Sequence, residues 1–285
     1  MKKYNDVYIA LRKKFKDAGI ESYALDARLI LAAAAGKTKE QLIRDMNLYV
    51  NDDFEGKVDA LAERRLAGEH VAYITGEWEF YGLPIAVSPD VLIPRIDTEV
   101  VAEKAIELLR GREEGKRVLD LCCGSGCISA AIAANVPGVR IVAADISLPA
   151  LRMCRQTVLK NNLSRYIVCM EADALKPPPM LLGRFDMIVC NPPYIKTAEI
   201  NDLDPSVRDY EPRRALDGGQ DGLDFYWSVI KDWTCILKEH GCMIFEVGEG
   251  QAETVMRIMR DNGFAAVHCF EDTAGVKRAV VGVLQ

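Results

Sequence analysis

The segment Val118-Leu119-Asp120-Leu121-Cys122-Cys123-Gly124-Ser125-Gly126 joins a short apolar run to a second apolar stretch through a turn that holds two glycines. Gly124 and Gly126 carry no Cβ, so a ligand can come close to the backbone there. Asp145 follows Gly126 by 19 residues, at the end of the next apolar run. A carboxylate in that position can accept both hydroxyls of a ribose. Together these residues point to a nucleoside-containing cofactor, and two chemistries stay open: nicotinamide and S-adenosylmethionine. The third glycine of a dinucleotide fingerprint would fall at position 129, which is Ser129. That weakens the dinucleotide reading, whereas S-adenosylmethionine has no pyrophosphate to cradle. In Glu171-Ala172-Asp173-Ala174, Asp173 is placed to reach an adenine and accept from its exocyclic amino group.

Asn191-Pro192-Pro193-Tyr194 comes directly after the apolar run Phe185 to Cys190. Its prolines stiffen the chain and remove backbone donors. The Asn191 side-chain oxygen and the Pro192 carbonyl remain as rigid acceptors, which suits a planar –NH2 group. Tyr194 offers a flat face to a conjugated amide or a base. The lone pair of an amide nitrogen is delocalised, so that nitrogen is a poor nucleophile. Methyl transfer makes it tetrahedral and cationic, and acceptors aimed at its hydrogens favour the developing charge. Preorganised groups of this kind are worth about 2.7–4 kcal/mol each. In-line alignment of nitrogen, methyl carbon and sulfur adds an orientation term. No base is needed before transfer, because the product cation sheds its proton readily.

The elements that must position these residues follow from periodicity. Strands are expected at Arg117 to Leu121, Arg140 to Ala144, Tyr166 to Met170, Phe185 to Cys190 and Cys242 to Val247. Helices are expected at Ile96 to Leu109, Cys127 to Asn135, Pro149 to Asn161 and Ala252 to Met259, with one apolar helical face from Phe225 to Leu237. Phe264 to Phe270 and Arg278 to Leu284 close the chain as an antiparallel pair. The alternation predicts a doubly covered, mostly parallel sheet of seven strands, Rossmann-like, whose strand four neighbours strand one at the switch point. The N-terminal part reads as helices at Val7 to Phe15, Ala24 to Ala35, Lys39 to Leu48 and Phe54 to Leu66, with Asn51 and Asp52 as caps. Aromatic and β-branched residues from Ala72 to Val87 predict short strands. The expected domains are a helical one over 1–70, a β-hairpin linker over 71–94 and a methyltransferase domain over 95–285.

Of 285 residues, 36 are Lys or Arg and 42 Asp or Glu, a formal charge of −6. Residues 1–85 hold 13 basic and 14 acidic side chains. Neither balance provides the basic field that nucleic-acid binding wants. The nine cysteines are scattered, mostly in apolar runs, and fit buried, reduced thiols rather than a disulfide framework. Cys122, Cys123 and Cys127 have no histidine at a zinc spacing, so no metal is expected. The longest aliphatic run, Leu29 to Ala35, is far short of the roughly 20 residues a spanning helix needs. With no signal-like start, a cytoplasmic protein is expected, without a membrane role.

Taken with its flanks, the tetrapeptide resembles the release-factor glutamine methyltransferases. The similarity runs through Arg64-Arg65 to Gly76, Val91-Leu92-Ile93-Pro94-Arg95 with Thr98-Glu99, and Asp120 to Gly126. It continues through Asn191 to Ile195, Tyr210-Glu211-Pro212 with Ala215-Leu216, Asp221-Gly222-Leu223, Phe245-Glu246-Val247-Gly248 and Gly275 to Arg278. The resemblance implies methylation of the glutamine in the Gly-Gly-Gln loop of class I peptide-chain release factors, in support of translation termination. It implies S-adenosylmethionine contacts from Cys122, Cys123, Gly124, Ser125, Gly126, Asp145, Asp173, Ala174 and Asn191. It implies a substrate site made by Asn191, Pro192, Pro193 and Tyr194, with Asn191, Pro192 and Tyr194 catalytic. Ile93 to Glu99 is placed to cover the methionine end of the cofactor. Two residues depart from the pattern: Cys122 stands where its first glycine is common, and Ile96 where proline often follows the arginine. Cys122 is expected to use β-type dihedrals and retain binding. The chain's own Gly218-Gly219-Gln220 reads as an ordinary loop rather than a self-methylation site. The rival reading is a DNA or RNA amino methyltransferase. No direct nucleic-acid contact is expected, and a monomer is.

Overall fold

The structure is a computed structural model and describes residues 2–51, 53–110, 115–180 and 182–285. It divides into two compact units, residues 1–77 and 78–285. The first unit is helical: α1 (Tyr4–Asp17), α2 (Tyr23–Ala35), α3 (Lys39–Asp45), α4 (Phe54–Leu66) and α5 (Val71–Thr75). Val7, Leu11 and Phe15 form the buried stripe of α1. Asp26 of α2 is buried, yet it is paired by Arg65 of α4 at 2.7 Å and by the Ser22 hydroxyl at 2.8 Å.

Three local expectations in this unit change. Helix α3 stops at Asp45 rather than Leu48, because the backbone beyond it is taken up by the chain start: Tyr4 donates to the Leu48 carbonyl and Asn5 to that of Met46. Helix α4 follows Asp53, whose side chain makes no capping bond. Asn51 contributes only its carbonyl, to the Phe54 N–H, and Asp52 lies outside the described residues. Residues 71–75 form a helix, not a strand. His70 caps it by accepting the Ala72 N–H at its ring nitrogen, and Gly76 ends it in the left-handed region. Capping and the burial of Val71 to Ile74 against α2 and α4 override the strand preference of β-branched residues.

A two-stranded hairpin follows, β1 (Glu77–Phe80) and β2 (Leu83–Ala86). Tyr81 and Gly82 both have positive φ, the turn that matches strand twist. The sheet unit then runs α6 (Glu99–Leu109), β3 (Arg117–Leu121), α7 (Cys127–Asn135), β4 (Arg140–Asp145), α8 (Leu148–Lys160), β5 (Ile167–Glu171) and β6 (Phe185–Cys190). It closes with α9 (Pro205–Arg208), α10 (Asp224–Ser228), β7 (Leu237–Glu246), α11 (Ala252–Asp261), β8 (Phe264–Glu271) and β9 (Lys277–Leu284).

The seven strands lie in the order β5-β4-β3-β6-β7-β9-β8. Strands β3 to β7 pair in parallel, while β9 runs antiparallel to both β7 and β8. Both faces are covered, so the central β6 is buried along its whole length. Registry brings strand ends together: Leu121 of β3 lies opposite both Ala144 of β4 and Cys190 of β6. The three loops that leave those strands therefore emerge at one edge. The apolar face expected as a single helix from Phe225 to Leu237 is α10 followed by a π turn and a 3-10 turn, and Leu237 already belongs to β7. Strand β7 begins five residues earlier than expected and passes a register shift opposite Phe185 to Met187. Among the described residues no helix is long and apolar enough to cross a membrane.

Candidate active site

At the shared strand edge lies a cavity of about 400 Å³. Its wall includes Cys122, Cys123, Gly124 and Ser125 from the loop after β3, and Asp145 at the end of β4. Asp173 and Ala174 after β5 and all of Asn191 to Tyr194 after β6 also line it. Of the residues expected to contact cofactor or substrate, all but Gly126 thus line one space, and Pro94, Arg95 and Thr98 from the Ile93 to Glu99 segment join them. Gly126 instead shapes the backbone: with φ at 77° it starts α7, and a Cβ there would sit 2.6 Å from the Cys154 sulfur.

Asp145 accepts two main-chain N–H groups, Gly124 at 2.9 Å and Ser147 at 2.8 Å. These bonds fix the carboxylate against the glycine turn and leave further lone pairs for hydroxyls. Burial pushes its pKa up, and the two N–H groups pull it back. A Cβ on Gly124 would meet nothing within 4 Å, so the turn borders open space. The expectation of β-type dihedrals at Cys122 is wrong: its φ is +61°, in the left-handed region where the family's usual glycine is at ease. Strand β3 must reverse sharply into the glycine turn, and the backbone keeps that geometry whatever side chain it carries. Asp173 is partly occupied, accepting the Leu175 N–H at 3.0 Å and pairing with Lys176 at 3.2 Å. Ser129, at the missing third glycine, donates its N–H and hydroxyl to Asp120, whose pKa burial raises to about 7.

The tetrapeptide is braced from behind. Pro192 and Pro193 are buried. The Gln251 side-chain amide donates to the carbonyls of Tyr194 and Gly222, at 3.0 and 3.2 Å, and accepts the Gly248 N–H. Glycines 218, 222 and 248 close around it. A Cβ would lie 2.7 Å from the Tyr194 Cα at Gly218, 2.3 Å from its carbonyl oxygen at Gly222, and 3.0 Å from its ring at Gly248. The chain's own Gly218-Gly219-Gln220 is therefore a brace for the tetrapeptide, and the Ile195 carbonyl accepts the Gly218 N–H at 2.8 Å.

Sequence reading missed the layer behind these groups. Asn191 donates its Nδ2 to the Thr98 hydroxyl at 3.5 Å, and the Tyr194 hydroxyl donates to Glu246 Oε1 at 3.4 Å. Glu246 ends β7 and is almost wholly buried. Burial raises its pKa to about 7 and also raises that of Tyr194. The available signal was an acidic residue closing an apolar strand, the same signal that marked Asp145. Arg214 and Phe225 also line the cavity, from a segment whose path periodicity does not reveal. Arg95 pairs with buried Glu211 beside it. All nine cysteines are free thiols, most of them buried.

A family model described as the PrmC N-terminal domain matches residues 6–76, and one described as the methyltransferase small domain matches residues 101–203. The release factor glutamine methyltransferase of Geobacter sulfurreducens is 38% identical over 268 residues, 93% of this chain and 91% of that one. The chain belongs to the release factor glutamine methyltransferase family. Its counterpart from Bradyrhizobium diazoefficiens is 37% identical, covering 95% of this chain and 91% of its own. Among solved structures, the hMettl16 catalytic domain in complex with MAT2A 3'UTR hairpin 6 aligns with a TM-score of 0.57. That alignment covers 82% of this chain and 83% of that one, at 18% identity, and speaks for the fold alone. A methyltransferase from Pyrococcus furiosus aligns at a TM-score of 0.52 and 15% identity, over 78% of this chain and 96% of that one. The methyltransferase sheet and the family's helical N-terminal domain are thus both present.

Proposed function

We propose that the chain methylates the side-chain amide nitrogen of the glutamine in the Gly-Gly-Gln loop of class I peptide-chain release factors, with S-adenosylmethionine as donor. The observation that carries this reading is one cavity lined both by the Asp145 and Gly124 edge and by Asn191 to Tyr194. The residues suit the donor. Open space over Gly124 allows close approach, and Asp145 keeps acceptor capacity for ribose hydroxyls. Asp173 and Ala174 would flank the base, and Asn191 would border both cofactor and substrate. S-adenosylmethionine supplies the methyl group, activated on a cationic sulfur.

The chain's own contribution is binding and orientation. Asn191 Oδ1 and the Pro192 carbonyl would hold the two N–H bonds of the glutamine amide, and Tyr194 would lie against its plane. These acceptors gain strength as the nitrogen becomes cationic, which lowers the barrier rather than only tightening binding. Pro193, buried against the Gly218 segment, keeps them rigid. A release-factor substrate makes the cytoplasm the place of action. The near-neutral helical unit and the names of the relatives favour a protein substrate over DNA or RNA.

The test is mass spectrometry of purified release factor incubated with the protein and S-adenosylmethionine. A gain of one methyl group on the Gly-Gly-Gln glutamine is expected, with no transfer to duplex DNA. Robust methylation of DNA adenine without modification of the release factor would reject the proposal.

A further inference from the structure

Next to the cavity at the strand edge lies a second one, of about 550 Å³. The two have Tyr194 and Ile195 in common, the end of the tetrapeptide and the residue after it. The rest of the second wall comes from residues 196–203, from the Asp221 to Leu223 loop and from the turn between β7 and α11. The hollow is built on fixed groups. Both amide hydrogens of Gln251 are taken up, by the Tyr194 carbonyl at 3.0 Å and the Gly222 carbonyl at 3.2 Å. Its oxygen accepts the Gly248 N–H at 2.9 Å. Gly250 gives the turn an open side: its φ is +81°, and a Cβ there would meet nothing within 4 Å.

Cavities that enclose one drug-sized molecule run from about 300 to 1,000 Å³. At about 400 Å³ the first cavity has room for one nucleoside-sized donor and the tip of a side chain. A glutamine that reaches Tyr194 is still joined to its neighbours, and an extended chain advances about 3.3–3.6 Å per residue. Those neighbours need a place within a few residues' length of Tyr194, and the second cavity begins at that residue. We infer that the second cavity is a peptide subsite, which takes the residues of the substrate chain adjoining the methylated glutamine. The inference rests on the substrate role proposed for Asn191 to Tyr194.

The charge of the wall sets which peptides suit it. Lys196 is neutralised by Glu199 at 2.7 Å. Asp221 accepts the Leu223 N–H at 3.0 Å, and neither it nor Glu249 has an ion-pair partner among the described residues. Two carboxylates are thus left uncompensated around a space next to the tetrapeptide. A lysine or arginine beside the glutamine is favoured there, and an acidic residue is repelled. The same charge opposes a phosphodiester backbone, in keeping with a protein substrate.

The experiment compares wild type with Thr254→Trp and Glu249→Lys. Substrates are a class I release factor and two synthetic Gly-Gly-Gln peptides, one flanked by lysines and one by glutamates. Thr254 is a half-buried wall residue on α11, and an indole there fills part of the space. Thr254→Trp should raise KM for the release factor about tenfold or more, with kcat and S-adenosylmethionine affinity within about twofold of wild type. Glu249 is exposed, so its replacement leaves the fold intact. Glu249→Lys should raise KM for the lysine peptide about three- to tenfold and lower it for the glutamate peptide. A merely structural role would instead move cofactor affinity, or both peptides alike. Wild-type KM for the release factor in a Thr254→Trp protein that binds cofactor normally would overturn the inference, as would equal responses of the two peptides to Glu249→Lys. A wild type inert towards release factor would reject the proposed function. Calorimetric titration of the lysine peptide, with S-adenosylhomocysteine bound, then still decides the subsite: wild type should bind it more tightly than Glu249→Lys, and equal affinity or no binding overturns the assignment.

Discussion

At the scale of single residues, the proposal divides the work between Asn191 for substrate and Asp145 for cofactor, and each predicts a different failure. Asn191→Ala removes an acceptor whose bond strengthens as the amide nitrogen gains charge. Single-turnover methylation should drop on the order of 10²–10³, with cofactor binding nearly intact. A variant within about threefold of wild type would limit that interaction to under ~0.7 kcal/mol and remove the role. Asp145→Ala should weaken S-adenosylmethionine binding by about 1.5–3 kcal/mol, since the carboxylate is proposed to meet the ligand and also ties down Gly124 and Ser147. Titration calorimetry reads this directly, and unchanged affinity in a folded variant would exclude the residue from the site. Cys122 carries its side chain on a left-handed backbone, φ +61°. That conformation costs about 1–2 kcal/mol for a residue with a Cβ. Cys122→Gly should raise stability by roughly 0.5–1 kcal/mol after the loss of packing and the entropy of glycine. Denaturant unfolding checks it, and a clear loss would mean that the half-buried thiol matters more to packing than the strain it brings.

At the scale of elements, the strand-end loops are held by close backbone contacts as much as by hydrogen bonds. The segment from Leu216 to Gly218 lies flat on residues 193–195, with Ile195 donating to the Leu216 carbonyl at 3.0 Å and accepting from Gly218. A Cβ on Gly218 would meet the Tyr194 Cα at 2.7 Å and the Pro193 oxygen at 2.8 Å, both backbone atoms that cannot swing aside. Gly218→Ala should therefore cost about 1–3 kcal/mol of stability. It should also shift Asn191 and Tyr194 enough to lower turnover at saturating cofactor. Thermal unfolding and kinetics on the same sample test both parts. A variant that keeps wild-type stability would show that the two segments can separate freely.

At the scale of the whole molecule, every residue of the cavity wall belongs to residues 90–225, inside the unit that spans 78–285. The helical unit is proposed to supply docking surface, since one glutamine is too small to carry specificity. It presents large apolar side chains to solvent, with Ile43, Leu48 and Tyr49 each more than half exposed. A chain shortened to residues 78–285 should bind S-adenosylmethionine within about threefold of the full protein, a difference of under ~0.7 kcal/mol. Release-factor methylation should fall far more. Equal loss of both activities in the fragment would contradict this division.

Much of this protein can be read from local sequence because its chemistry sits at strand ends. Apolar runs closed by Asp145 or by Asn191-Pro192-Pro193-Tyr194 announce both the strand and the group it delivers, and parallel pairing then brings those ends to one edge. Fully buried elements are likewise legible as apolar runs, as with Phe185 to Cys190 and Cys127 to Asn135, whose limits agree with the structure. Where local preference and long-range contact compete, sequence alone does not decide. Val71, Ile74 and Thr75 are β-branched, yet residues 71–75 are helical, because burial against α2 and α4 outweighs propensity. Cys122 is left-handed because the strand must turn there, not because cysteine favours it. Glu246, Thr98 and Gln251 gain their positions behind the tetrapeptide only when β7 is laid beside β6 and the segments before β3 and after β7 fold back onto that edge. Their order in the chain does not encode that convergence, because it is made by contacts between distant residues, 93 positions apart for Thr98 and Asn191 and 52 for Tyr194 and Glu246.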